Sequence, residues 1–200
     1  MVKRSHERSN VASATDKSGE TEWSQNGRYT GKTDLPLTSR GAQQVLSTSK
    51  IVVGPRKLID PASLAHVYIS PRTRAQRTFD LLLGEAGKKE LVDAGKVSTT
   101  EELAEWDYGS ADEVSARLDT LIAKIHALHA PNMHGEAPSD VLLVAHGHLL
   151  RAFAKRWLKY PLSFPLSMMI EPGGVGILSY QHRNVEEPAF LLGVGFPLKE

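Results

Sequence analysis

The stretch DVLLVAHGHLLR, Asp140 to Arg151, decides the fold. Its five consecutive apolar residues, Val141 to Ala145, are too few for an ordinary helix and read as a strand buried on both faces, as in parallel sheets covered by helices. His146-Gly147-His148 follows at once, and from Leu149 to Leu158 the apolar residues recur at helical spacing. A buried strand that turns directly into a helix is the building unit of an α/β sandwich, where ligands gather at the carboxyl ends of the strands. His146 and His148 stand at such an end.

Outward from this unit the same alternation recurs. Leu64 to Ile69 (LAHVYI) is a β-branched and aromatic run that stops at Ser70-Pro71, with a helix predicted from about Arg74 to Leu83. Val97 to Thr100 is a weaker strand before EELAEWDYG, and Ser110 with Glu113 forms a capping box. The helix it opens carries Val114, Leu118, Leu121, Ile122, Ile125 and Leu128 on one face and ends at Ala130-Pro131. Gly173, Gly174 and Gly176 lead into Ile177 to Tyr180, and a last segment runs from Ala189 to Val194. Gly19 to Gly41 is dense in Gly, Thr, Asn and Pro, a structured loop leading to a helix capped by Thr38. Together these elements predict a three-layer α/β sandwich around a mostly parallel sheet. Met1 to Lys17 has only Val2 and Val11 as large apolar side chains and reads as a disordered arm, so residues 1–18 are separated from a single domain, 19–200.

Composition narrows the function. Twenty-four Lys and Arg against 23 Asp and Glu leave a net charge of +1 over 200 residues, too little for a general grip on nucleic acid, so any anion site is local. There is no cysteine, which removes disulfides, zinc-thiolate sites and thiol nucleophiles. No run of 18 apolar residues and no apolar signal core occurs, so neither a membrane partner nor export is predicted and the expected location is cytoplasmic. A homo-oligomer is compatible with all of this.

Three charged clusters follow predicted strands: Arg72, Arg74 and Arg77; Glu105 and Asp107; His146 and His148. The carboxyl-end rule brings them together. Guanidinium forks, an imidazole and a helix amino terminus suit a phosphate or carboxylate, and a neighbouring Glu can supply a proton to a leaving alkoxide. Taken singly, each has a plainer reading: an arginine row on a helix is commonly a solvated face, a strand-end histidine is as often structural, and Trp23, Trp106 and Trp157 serve as anchors. A metal site at His146 and His148 lacks a third ligand at recognisable spacing.

Four ordered blocks carry a resemblance: GETEWSQNGRYTGKTDLPLTSRG (19–41), SPRTRAQRT (70–78), EWDYG (105–109) and AHGHLLR (145–151). Over about residues 19–195 the chain resembles the histidine phosphatase superfamily, the phosphoglycerate-mutase-like proteins. With the tail PGGVGILSYQHRNVEEPAF (172–190), it looks more like the fungal sedoheptulose-1,7-bisphosphatase branch than the glycolytic mutases. The resemblance implies hydrolysis of a phosphomonoester on a small phosphorylated sugar, through a phosphohistidine and without metal or organic cofactor. It makes Arg74 the second pocket arginine, Glu105 the proton donor and His146 the second pocket histidine, with backbone contacts from Gly147 and His148. Ser24, Arg28, Tyr29 and Thr30 fall in the loop that in relatives closes over substrate.

Two departures stand out. The family's first motif, an apolar strand ending in Arg-His-Gly, should precede Glu20, but the chain reads SNVASATDKSGET (9–21), with Lys17 and Ser18 where Arg and His belong. Lysine keeps a point charge without the bidentate fork, and serine is a poor nucleophile unless a base activates it. The polar arm also predicts that the first strand is missing. After Gly109 the long excursion over the active site is absent, and the chain runs straight into Ser110. The readings are an impaired sugar (bis)phosphate phosphatase, an inactive phosphosugar-binding or regulatory pseudoenzyme, and, behind both, a Ser18 nucleophile served by His146. Clean losses beside intact motifs are also what misplaced exon boundaries or an alternative transcript would produce.

Overall fold

The strand Asp140–Ala145, numbered β4 in chain order, sorts its side chains to two faces as the period of two requires. Val141, Leu143 and Ala145 join one apolar core with Leu118, Leu121 and Ile125 of α4 (Ala111–His129) and Phe153 and Trp157 of α5 (Gly147–Trp157). Leu142 and Val144 join the other, with Val45 of α2 (Ser39–Val52) and Ala75, Phe79 and Leu82 of α3 (Thr73–Asp93). Two helices on each face make the three layers predicted. This computed structural model describes residues 13–25, 33–106, 110–135 and 137–191.

One six-stranded sheet runs in the order β3-β2-β4-β1-β5-β6, where β1 is Ser13–Lys17, β2 Leu64–Ile69, β3 Val97–Thr99, β5 Val175–Tyr180 and β6 Pro188–Phe190. The pairs β3·β2, β2·β4 and β4·β1 are parallel, while β1·β5 and β5·β6 are antiparallel. Local signals placed the helices well. Thr38 caps α2 by accepting from the Gly41 N–H at 2.9 Å, and Ser110 and Glu113 close both bonds of the capping box on α4. The end anticipated at Leu83 is a real break, because Gly84 takes φ 66° and interrupts α3.

The first strand corrects the sequence reading. It is present, and it is central: Ala14 to Lys17 pair with Leu142 to Ala145 on one side, and Ser13 to Asp16 with Leu178 to Val175 on the other. The boundary drawn at residue 18 therefore cuts through the sheet, and residues 1–12 lie outside those described. Composition misled because β1 answers a demand of its neighbours. Without it, β4 and β5 would each bury an unpaired row of backbone N–H and C=O groups, and that requirement outweighs the weak β propensity of SATDK.

From β1 the chain enters the loop that leads to α2. Thr38 N–H donates to the Glu20 carbonyl at 2.9 Å, and the loop lies so close on the helix that a Cβ on Gly19 would come 2.7 Å from the Gly41 carbonyl oxygen. Only two glycines permit that approach. The placement of β1 has a direct check: Thr15→Pro removes a ladder bond in mid-sheet and should cost about 3 kcal/mol or more. Equilibrium unfolding in urea should show this as a midpoint lower by roughly 1 M or more. An unchanged midpoint would mean that these residues are a free arm.

Candidate functional site

The ends of three adjacent strands define the site. Because β4 lies between β2 and β1, its terminus touches both: Ser70 N–H donates to the Val144 carbonyl at 2.9 Å and Ser18 N–H to the Ala145 carbonyl at 3.0 Å. Ser18, Ser70 and His146 thus sit side by side, all buried. From the first turn of α3, Arg74 reaches into the same place with only 2% of its surface exposed.

The bonds within this group fix the state of the imidazole. Arg74 Nε can only donate, and it lies 3.1 Å from His146 Nδ1, so Nδ1 carries the lone pair. The ring proton is then on Nε2, 2.7 Å from Ser70 Oγ, which accepts it and also accepts from the Arg72 N–H at 3.3 Å. Burial, reinforced by the charges of Arg74, Arg72 and Arg117, holds the His146 pKa well below its ordinary value. His146 is therefore neutral. Arg74 is anchored further by the Thr33 carbonyl at 3.2 Å and the Asp34 carboxylate at 3.9 Å. Asp34 in turn accepts from Thr73 N–H at 3.0 Å and Thr73 Oγ1 at 2.9 Å, tying the loop to the amino terminus of α3.

Glu105 joins from the segment after β3. Its Oε1 accepts from the Trp106 N–H at 3.1 Å, and it lies in the field of Arg74 and Arg151. Burial pushes its carboxyl pKa up in spite of the Trp106 and Leu149 amides and the two guanidiniums, which favours the protonated form a proton donor needs. At the end of β1, Lys17 donates to the Ile170 carbonyl at 3.2 Å. Its stem crosses Gly147 so closely that a Cβ there would come 2.9 Å from Lys17 Cε. Burial and the Arg151 charge lower the Lys17 pKa against the opposing pull of Glu171 and Glu105.

Of the three residues expected to converge, Arg74 and His146 are bonded directly, and Glu105 lies in the field of Arg74. Arg77 does not take part: it is largely exposed and pairs with Asp80 at 4.0 Å on the outer side of α3. His148 is exposed at the mouth, and Ser24 lies on the short helix α1 (Glu22–Gln25) beside the entrance loop. Arg28, Tyr29, Thr30 and Asp107 lie outside the described residues. Sequence reasoning missed Ser70, Asp34 and Thr78, whose Oγ1 accepts from the Gly19 N–H at 3.3 Å. All three lie inside the motif blocks 19–41 and 70–78, which was the signal available. Among the described residues no three His, Asp or Glu side chains gather in a way that could hold a metal ion.

The neutral His146 makes a signed prediction. Its folded pKa lies below the unfolded value of about 6.5, so below that pH the unfolded chain takes up a proton that the folded one refuses. The contribution is complete above about pH 6.5 and is lost on acidification. In urea unfolding between pH 7.5 and 5, His146→Gln should show a shallower fall in stability than the parent. Equal slopes would mean that His146 ionises normally.

Comparison with known proteins agrees with this geometry. The sequence pattern of the histidine phosphatase superfamily (branch 1) matches residues 18–116 and 110–189. Sedoheptulose 1,7-bisphosphatase of Saccharomyces cerevisiae is 28% identical over 247 aligned positions, covering 89% of this chain and 90% of its own. An acid phosphatase of Mycobacterium tuberculosis is 31% identical over 203, covering 90% and 91%. Among solved structures, an open reading frame product of Mycobacterium tuberculosis superposes with a TM-score of 0.65 at 26% identity, over 90% of this chain and 95% of that one. A mycobacterial glucosyl-3-phosphoglycerate phosphatase reaches 0.67 at 19% identity, over 88% and 95%, and speaks to the fold alone. With its motifs, its sheet and its strand-end cluster in agreement, the chain belongs to the histidine phosphatase superfamily.

Proposed function

We propose that this chain binds a phosphorylated sugar in the crevice between β1, β2 and β4 and hydrolyses it only poorly, because the nucleophile of the family's reaction is absent. Ser18 carries this reading. It occupies the end of β1, beside His146, where the resemblance puts the attacking histidine. In the family's route an imidazole attacks phosphorus, cations stabilise the charge spread over the phosphoryl oxygens, and a carboxyl protonates the departing sugar oxygen. Arg74, positioned by the neutral His146, retains the second of these roles, and Glu105 the third.

Serine does not restore the first. A hydroxyl needs an adjacent base, and His146 has no lone pair to spare: Nδ1 accepts from Arg74 and Nε2 carries the proton given to Ser70. Lys17, in the position of the motif arginine, gives one N–H to the Ile170 carbonyl and offers a point charge without the bidentate fork. The shortened cover argues the same way. The match to the family pattern falls into two segments that overlap at residues 110–116, next to the place where the resemblance puts the missing excursion. Some 70 of the 247 positions aligned with the yeast enzyme have no counterpart in this chain. A site so uncovered excludes water less well.

A second reading, a phosphosugar-binding or regulatory module without catalysis, is favoured by one observation: the bonds among Arg74, His146 and Ser70 are already in place without a nucleophile. Turnover and binding measured on one preparation separate the two. Phosphate release from sedoheptulose 1,7-bisphosphate should run about 10⁴-fold or more below an intact relative, the scale of losing a covalent nucleophile. The double change Lys17→Arg, Ser18→His should recover part of it and yield an acid-labile, base-stable phosphoprotein. Robust turnover by the unaltered chain would overturn the proposal, and turnover abolished by Ser18→Ala would establish a serine mechanism instead. No phosphate release above background, with binding intact, selects the regulatory reading.

A further inference from the structure

At the end of β1, where the resemblance expects an arginine, the chain carries a cation that can give up its proton. Lys17 is half-buried, and its side chain lies on the first turn of α5: a Cβ on Gly147 would come 2.9 Å from Lys17 Cε and 3.4 Å from Nζ. Nζ donates to a neutral acceptor, the Ile170 carbonyl at 3.2 Å. Among the described residues no carboxylate forms an ion pair with it.

This position favours the neutral amine. Burial withdraws water from the charge, α5 turns the positive end of an eleven-residue helix toward it, and Arg151 on that helix adds a full charge. His148, on the same turn, is itself pushed below its ordinary pKa by burial. Glu171 and Glu105 pull the other way, yet the Lys17 pKa stays lowered. Only an unprotonated amine has the lone pair that makes lysine a nucleophile. The Glu105 carboxyl, its own pKa raised by burial, meets the Leu149 amide, so amine and acid share the first turn of α5.

We infer that Lys17 is an imine-forming amine, which condenses with the open-chain carbonyl of a phosphorylated sugar held in the crevice. The inference rests on the crevice being a phosphate pocket and adds a covalent step independent of phosphoryl transfer. The Nζ lone pair attacks the carbonyl carbon, and the proton that nitrogen sheds passes to the former carbonyl oxygen. That hydroxyl leaves as water with a proton from Glu105, nitrogen returns its second proton to the Glu105 carboxylate, and a C=N bond remains. Nothing is oxidised or reduced, and water reverses the step. An arginine could not do this, because its guanidinium keeps its proton.

Reductive trapping tests the inference without phosphate release. An imine hydrolyses when the chain is denatured, but sodium cyanoborohydride fixes it as a secondary amine that peptide mass spectrometry can map. Glyceraldehyde 3-phosphate should modify Lys17 at least tenfold faster than the exposed Lys50, and at least tenfold faster than unphosphorylated glyceraldehyde modifies Lys17. Inorganic phosphate should slow the reaction, and Lys17→Arg should abolish it while leaving Lys50 labelled as before. Labelling of Lys17 no faster than Lys50, in a chain that binds the phosphate ester by calorimetry, overturns the inference and leaves the phosphate pocket standing. Preferential labelling of Lys17 by both aldehydes alike keeps the reactive amine and overturns the pocket instead. Should Lys17→Arg fail to fold, the mapped ratio of Lys17 to Lys50 on the parent chain decides alone.

Discussion

A guanidinium buried almost completely must be held from several sides, and the bond it gives to a neutral imidazole is the constraint around which this site is organised. Arg74 donates to His146, and the direction of that bond fixes the tautomer, hands the remaining proton to Ser70 and keeps the ring uncharged. Removing one partner of such a buried charge typically costs about 3–5 kcal/mol, because the other is left uncompensated. Everything nearby serves to keep the pair in register. Strand β4 carries the histidine, Ser70 ends β2, and Asp34 ties the loop of residues 33–38 to the start of α3, where the arginine stands.

The same constraint decides the chemistry. On the proposed reading the Arg74 guanidinium, held in place by a ring bonded at both nitrogens, supplies positive charge for an oxyanion, a preorganised contribution to electrostatic stabilisation of a transferring phosphoryl group. It also ties up the one imidazole that could have deprotonated Ser18. On the proposed reading binding and catalysis come apart, since the groups that would hold phosphate are bonded among themselves whereas the attacking group would be a separate residue on a separate strand.

Much of the architecture was legible because it is written locally. Val141 to Ala145 announced a doubly buried strand, Ser110 and Glu113 a helix start, Thr38 another, and Gly84 falls at the foreseen end of a helix. Strand β1 was not legible, because its existence follows from the unpaired edges of β4 and β5 and not from its own side chains. The site divides in the same way. Arg74, Glu105 and His146 follow strands and could be placed by topology. Ser70 and Asp34 act through partners 76 and 39 residues away, a pairing that only the folded chain displays.

The central claim is that the crevice holds phosphorylated sugar without taking its phosphoryl group. Intact-protein mass spectrometry, on chain incubated with saturating sedoheptulose 1,7-bisphosphate and quenched in base, tests it most directly. The account predicts an unchanged mass under conditions in which the sugar is bound. A species heavier by one phosphoryl group, formed on the unaltered chain, would contradict it.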